Sequence, residues 1–185
     1  MVFFMGFFVQ KSINIYKAEN FVEKENATAL KLLRMMDMQN TKIADFHVMN
    51  TKGDTITLSS LLDHEKFVIY WSRIDCAACA VKEFMLFDEY FSELDKSKNI
   101  ILLGNFKNMK EQKVIEQTSH LKTYNVLDNN FFDKANKEDL FVTYCMLDSS
   151  LIVSNYLDAK DNNTNIDINR IYYKVMSKRF QNMRQ

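Results

Sequence analysis

Residues 67–94 read Phe67-Val-Ile-Tyr-Trp71, Ser72-Arg-Ile-Asp75, Cys76-Ala-Ala-Cys79, and then Ala80-Val-Lys-Glu-Phe-Met-Leu-Phe-Asp-Glu-Tyr-Phe-Ser-Glu-Leu94. The first five are β-branched or aromatic and are bounded by polar residues, the composition of a buried central strand. After the cysteines, apolar residues recur at Ala80/Val81, Phe84, Phe87, Phe91 and Leu94. Lys82, Glu83, Asp88, Glu89, Ser92 and Glu93 lie between them, so the pattern predicts an amphipathic helix that begins at or just before Cys76. The order is strand, short loop, two cysteines, helix.

That placement has a chemical consequence. The unpaired N–H groups and the dipole at a helix N-terminus favour an anion, so a thiolate at Cys76 is stabilised and made available near neutral pH. Cys79 lies one turn further on the same side, within reach of a disulfide. Asp75 opposes the effect by placing a carboxylate beside the thiol, and Arg73 offsets it. The pattern predicts a redox-active pair whose poise the residues do not fix. Two other readings stand beside it: half of a zinc site, or core filler. A structural zinc site needs two further Cys or His ligands at suitable spacing, and the chain offers Cys145 and the isolated His47, His64 and His120. The ligand count favours redox chemistry, with no cofactor and no metal expected.

Working outward from this stretch, Asn99-Ile-Ile-Leu-Leu-Gly104 is a nearly all-apolar run closed by glycine, the pattern of a parallel strand covered on both faces. A polar helix is predicted over about 109–119, with Val114 and Ile115 as inner contacts. Strand, helix, strand, helix implies a βαβ unit. Lys122–Val126 reads as a short edge strand, and 129–139 as an acidic, amide-rich loop in which Phe131 and Phe132 tuck against the core. Phe141–Leu147 and Leu151–Leu157, joined through Asp148-Ser-Ser150, read as a hairpin. Cys145 falls within its first strand and is read as a small buried hydrophobe. A helix over about 167–180 closes the chain, with Ile168, Ile171, Tyr172 and Val175 as its apolar face and Lys178 and Arg179 near the negative end of its dipole.

Upstream, Ala44–Leu58 predicts a second hairpin in which Phe46, Val48, Ile56 and Leu58 alternate with polar residues. Thr51-Lys-Gly-Asp54 supplies its turn, with glycine where a positive φ is needed. Ser59–Leu62 forms a short helical turn, and His64 is a solvated loop residue. A helix starting near Glu25 or Asn26 and ending near Gln39-Asn40 carries Ala27, Leu30, Leu33 and Met36 at helical spacing and is predicted to pack one face on the domain. Val2–Val9 is almost wholly apolar. Eight residues are too few to cross a hydrocarbon layer that needs about 20 in a helix, so the segment is read as the back half of a membrane anchor, or else as a buried N-terminal strand or a sticky exposed tail. The division expected is 1–41, an apolar anchor remnant with a helical spacer, and 42–185, one α/β domain.

The 185 residues and 47% hydrophobic content suit one substantial core. Lys plus Arg and Asp plus Glu both number 24, so net charge points to no nucleic acid. With no proline and three glycines, turns fall to Asn, Asp and Ser, whose side chains bond to the local backbone.

The order of elements, together with Phe46-His-Val-Met-Asn-Thr-Lys-Gly-Asp-Thr-Ile-Thr-Leu-Ser-Ser-Leu61, Tyr70-Trp-Ser72 through Cys79, and Met146-Leu-Asp148, resembles the thioredoxin-like fold, specifically the TlpA-like exported thiol-disulfide oxidoreductases. The similarity covers about residues 44–180, and C-x-x-C is its one chemically specific motif. The resemblance implies a three-layer α/β fold: a central mixed sheet with an N-terminal β-hairpin and flanking helices. It implies Cys76 as attacking and Cys79 as resolving cysteine, with Trp71, Asp75, Phe141 and Val142 toward the substrate. The partners implied are protein thiols and disulfides, in a periplasmic or cell-envelope location with an inner-membrane anchor.

Three departures from the pattern stand out. The late-strand position that holds a cis-proline in thioredoxin-like proteins matches Val142, after Phe141; without proline a cis bond there costs about 2.5–4 kcal/mol, so a trans or altered loop is expected. Asp75 replaces the tryptophan beside the first cysteine, and Tyr70 stands where thioredoxin has a buried acid. These leave open a non-catalytic alternative, a thioredoxin-like domain that binds a partner or a soft metal such as Cu(I) through its two thiolates.

Overall fold

Phe67–Trp71 is buried throughout, as its unbroken apolar composition requires, and it lies inside a sheet rather than at its margin. The computed structural model describes residues 20, 23–26, 28–33, 35–71, 85, 87–92, 96–128, 142–159 and 168–182. Seven strands are described: β1 (His47–Asn50), β2 (Thr55–Thr57), β3 (Lys66–Trp71), β4 (Ile100–Gly104), β5 (Lys122–Val126), β6 (Val142–Leu147) and β7 (Ser154–Asp158). They form one mixed sheet in the order β2-β1-β5-β4-β3-β6-β7. β3, β4 and β5 run parallel, while β6 is antiparallel to β3 and β7 to β6; β1 is antiparallel to both β2 and β5.

Successive side chains of a strand point to opposite faces, and the core divides accordingly. Phe67, Ile69 and Trp71 of β3, Ile100 and Leu102 of β4, and Val142, Tyr144 and Met146 of β6 line one face. Val68, Tyr70, Ile101, Leu103, Cys145 and Leu147 line the other. Helical residues 87–91, which carry Phe87 and Phe91, cover the first face together with α2 (Ile168–Asn182). Ile115 of α1 (Met109–Ser119) packs at the border of the same cluster. The second face is covered by Ile43, Phe46, Leu58 and Leu62, contributed by the chain around the N-terminal hairpin, and by Leu151, Val153 and Tyr156.

Local chemistry accounts for the boundaries. Gly53 has φ +93°, the left-handed turn position expected of it, and the Asn50 side chain closes the same turn by accepting from Lys52 N and Asp54 N at 2.8 and 3.0 Å. Asn108 caps α1, accepting from Glu111 N at 3.0 Å, while Glu111 reaches back to Lys107 N at 2.7 Å. His120, at φ 56°, ends the helix in the left-handed region.

Four details differ from the sequence expectations. β5 is not an edge strand: the N-terminal hairpin adds beyond it, so β5 pairs with β1 on one side and β4 on the other. In α1 the innermost residue is Gln112, fully buried and donating from Nε2 to Met49 O and Thr123 O at 2.9 and 3.0 Å, whereas Val114 is exposed. In α2 the buried apolar side chains are Ile168, Tyr172, Tyr173, Met176 and Phe180, with Asn169 buried beside them, and Ile171 and Val175 face outward. In the helical residues 28–33 and 35–38, Lys31 and Met35 turn toward the domain while Leu30, Leu33 and Met36 are exposed. The N-terminal segment is nevertheless docked. Lys42 bridges Ile152, Asn40 N donates to Val153 O at 2.8 Å, Ile43 N donates to Leu151 O at 2.9 Å, and Asn155 N donates to Gln39 Oε1 at 2.8 Å.

Candidate functional site

β3 and β4 run parallel and end side by side, with Trp71 opposite Gly104 in the register. β6 runs the other way, so it begins where they end, and Val142 is the residue paired with Trp71. In an open α/β sheet, ligands meet the carboxyl ends of parallel strands, because the connecting loops gather there. The topology therefore brings to one end of the sheet the chain leaving β3 at residue 72, the chain leaving β4 at Asn105, and the chain entering β6 at Val142. Asp75, Cys76, Cys79 and Phe141 lie outside the described residues.

The described part of this end is tightly tied. Asn105 N donates to Trp71 O at 3.3 Å, and Asn105 Nδ2 donates to the Tyr70 hydroxyl at 3.2 Å. Phe106 N donates to Asn125 Oδ1 at 2.9 Å, which joins the β4 and β5 ends. The Phe106 ring lies over Gly104, where a Cβ would meet it at 3.0–3.1 Å, so that position is held open for the ring. Ala159 N donates to Val142 O at 3.0 Å, fixing the start of β6 against the end of β7.

Trp71 and Val142 are only 3% and 2% exposed and both belong to the first-face core. Their side chains pack rather than reach outward, while their backbones form the margin of the sheet. Tyr70 is buried on the opposite face. Asn105 was not singled out by the sequence reading, although Gly-Asn directly after an all-apolar parallel strand is a detectable signal.

Cys145 is buried in the second-face cluster, as expected of a cysteine inside a strand. Burial pushes its thiol well above the ordinary range, so it stays protonated and unreactive. His64 is half exposed, with Nδ1 3.0 Å from Asp63 Oδ1. No group of three or more His, Cys, Asp or Glu is arranged to hold a metal among the described residues. No helix among them is long and apolar enough to cross a membrane.

No protein-family model and no curated protein matches the chain. Solved structures do. A thiol:disulfide interchange protein from Bacteroides sp. superposes with a TM-score of 0.55 at 14% identity, over 77% of this chain and 90% of that one. The thioredoxin domain of a thiol-disulfide oxidoreductase from Bacteroides vulgatus gives 0.51 at 14%, over 77% and 97%. A thiol peroxidase from Chromobacterium violaceum gives 0.51 at 9%, over 80% and 88%. The chain has the thioredoxin-like fold: a central mixed sheet with an N-terminal β-hairpin and flanking helices.

Proposed function

We propose that this chain is a thiol-disulfide oxidoreductase of the TlpA-like kind, exchanging disulfides with partner proteins through Cys76 and Cys79. The observation that carries the reading is the joining of motif and topology. The C-x-x-C begins five residues after Trp71, the last residue of the central strand of a thioredoxin-like sheet, and that residue pairs with the first residue of β6. Two of the similar structures named above are themselves described as thiol-disulfide exchange proteins.

In the reductive direction the Cys76 thiolate attacks a substrate disulfide. The substrate S–S bond breaks, a mixed disulfide with Cys76 forms, and one substrate thiolate leaves. Cys79, as thiolate, then attacks Cys76 Sγ, which releases the second substrate thiolate and leaves a Cys76–Cys79 disulfide. Two electrons pass from the pair to the substrate, and the reverse sequence oxidises a substrate dithiol. Asp75 and Phe141 flank the exchange, while Trp71 and Val142 act by holding the sheet margin, their side chains being committed to the core. We place the domain outside the cytoplasm, where disulfides persist, with the apolar residues 2–9 as part of a membrane anchor.

The test is reduction of insulin disulfides by the full chain with dithiothreitol as donor. Wild type is expected to turn over, with Cys76→Ser at background and Cys79→Ser trapping the mixed disulfide. Equal background rates in wild type and Cys76→Ser overturn the reading. The presence of Val142 rather than proline at the start of β6 favours a second reading, binding of a partner or Cu(I) by the two thiolates; copper co-purifying anaerobically with wild type and not with Cys76→Ser supports it.

A further inference from the structure

Lys31 lies in the helical residues 28–33 of the N-terminal segment and is only 6% exposed, although its neighbours Leu30, Leu32 and Leu33 are exposed. Lysine is almost never buried this far unless its ammonium is paired, because desolvating the charge is costly. Its Nζ donates to Asn169 Oδ1 at 2.8 Å, across 138 residues of sequence. Asn169, itself 3% exposed, uses the other end of its amide as well, Nδ2 donating to Ala159 O at 3.2 Å. Ala159 N in turn donates to Val142 O at 3.0 Å. Val142 is the first residue of β6 and the partner of Trp71, from which the chain runs on to the C-x-x-C.

The direction of these bonds gives Lys31 a role that an apolar residue could not take. An ammonium has three donors and no acceptor, so it holds the carbonyl end of the Asn169 amide toward itself. The amino end is thereby turned to Ala159 O. With the amide reversed, two carbonyl oxygens would face each other there. Ala159 lies just beyond β7, so its bond to Val142 O is the outermost described rung between β6 and β7, where a ladder frays unless its end is tied. Valine does not fix its own φ as a proline ring does, so the backbone entering β6 takes its position from such partners.

We propose that Lys31 and Asn169 are positioning residues for disulfide exchange: through Ala159 they fix the backbone at the start of β6, against which a peptide substrate is seated. The proposal rests on the oxidoreductase reading above and deepens it, by making the N-terminal helix part of the support for substrate. Both side chains are buried, so they act through Ala159 and not by contact with substrate. A peptide that carries a disulfide has backbone groups to lay along this margin, and a small disulfide has none.

The test uses the full chain and two substrates. One is insulin, in turnover with dithiothreitol; the other is hydroxyethyl disulfide, in single-turnover oxidation of the reduced protein. Lys31→Met removes the donor to Asn169, whereas Asn169→Asp keeps an acceptor for Lys31 and sets a second oxygen against Ala159 O. Each is expected to raise KM for insulin about 10-fold, with kcat, the rate on hydroxyethyl disulfide and the potential of the Cys76/Cys79 couple unchanged. Lys31→Met/Asn169→Leu makes both partners apolar, a milder change for folding than orphaning one, and is expected to show the same rise in KM. Wild-type KM in any folded variant overturns the proposal. So does a parallel loss on both substrates, or failure of all three variants to fold, since the bonds would then hold the domain as a whole. Wild type no faster than Cys76→Ser means that the oxidoreductase reading has failed and the proposal with it, whereas wild-type KM in an active Lys31→Met sinks the positioning role alone.

Discussion

The two faces of β3 are built by different means. On one, Phe67 sits among aromatic rings, with centroids 5.5–6.2 Å from Phe87, Phe91, Tyr144, Tyr172 and Phe180. Phe87 and Phe91 stack at 4.4 Å, and the Tyr173 ring meets Tyr144 edge-on at 5.3 Å. On the other face, Val68 packs in a cluster of mostly aliphatic side chains drawn from the strands and from the chain around the N-terminal hairpin. The aromatic face holds the helix that follows the cysteines, so large, geometrically selective rings fix its position. The aliphatic face serves chiefly to cover the sheet. Ring packing is concentrated around Phe87 and Phe91 of the helical residues 87–91.

The sharpest way to break this comparison is to truncate one residue on each face. Phe67→Ala is expected to cost about 4 kcal/mol in urea unfolding and Val68→Ala about 2 kcal/mol. Equal losses would mean that Phe67 contributes less than its larger buried bulk alone requires. Next comes the polar seam between α1 and the sheet. Gln112→Leu leaves the buried carbonyl of Thr123 and the half-buried carbonyl of Met49 without their shared donor and is expected to cost about 3 kcal/mol, more than an exposed α1 position such as Val114→Ala.

The aliphatic face carries its own probe in Cys145. Burial keeps this thiol protonated in the folded chain, while in the unfolded chain it ionises with a pKa of about 8.5. Its folded pKa is raised, so its contribution is fully present below pH 8.5 and is lost as pH rises. By pH 10 the loss is about 2 kcal/mol. Stability curves of wild type and Cys145→Ala, measured from pH 7 to 10, should separate by that amount, and parallel curves would place the thiol in water. The smallest effect lies at the far end of β3. There Arg179 of α2 holds Glu65 through Nη2, at 2.7 and 3.0 Å from the two carboxylate oxygens. Both groups are partly exposed, so a double-mutant cycle with Glu65→Gln and Arg179→Met should give a coupling of about 0.5 kcal/mol that falls in high salt.

Much of this fold was legible because its central elements carry unambiguous patterns. Phe67–Trp71 and Ile100–Leu103 have no polar face to offer water, so they could only be interior strands, and Gly53 sits where its turn demands a positive φ. β5 was harder. Lys-Thr-Tyr-Asn-Val looks like a strand margin, and its interior position depends on a hairpin some 70 residues earlier adding beside it. The candidate site was half legible. The C-x-x-C and Trp71 stand in the sequence, but the meeting of Trp71 with Val142 and the ties made by Asn105 are products of strand pairing.

The chain's own residue pattern determined which segments are strands and helices, where the turns fall, and that two thiols follow the central strand, since these depend on near-neighbour periodicity and backbone preference. Only the tertiary structure decided which side of each helix is covered. Ile171, Val175, Leu30 and Leu33 have the periodicity of a core stripe yet lie outside. Tyr172, Tyr173 and Met176 on α2 fill the space over β3 and β6, and Lys31 finds a buried partner in Asn169. Periodicity says that a helix has an apolar side; the shape and hydrogen bonding of what it meets say which side goes in.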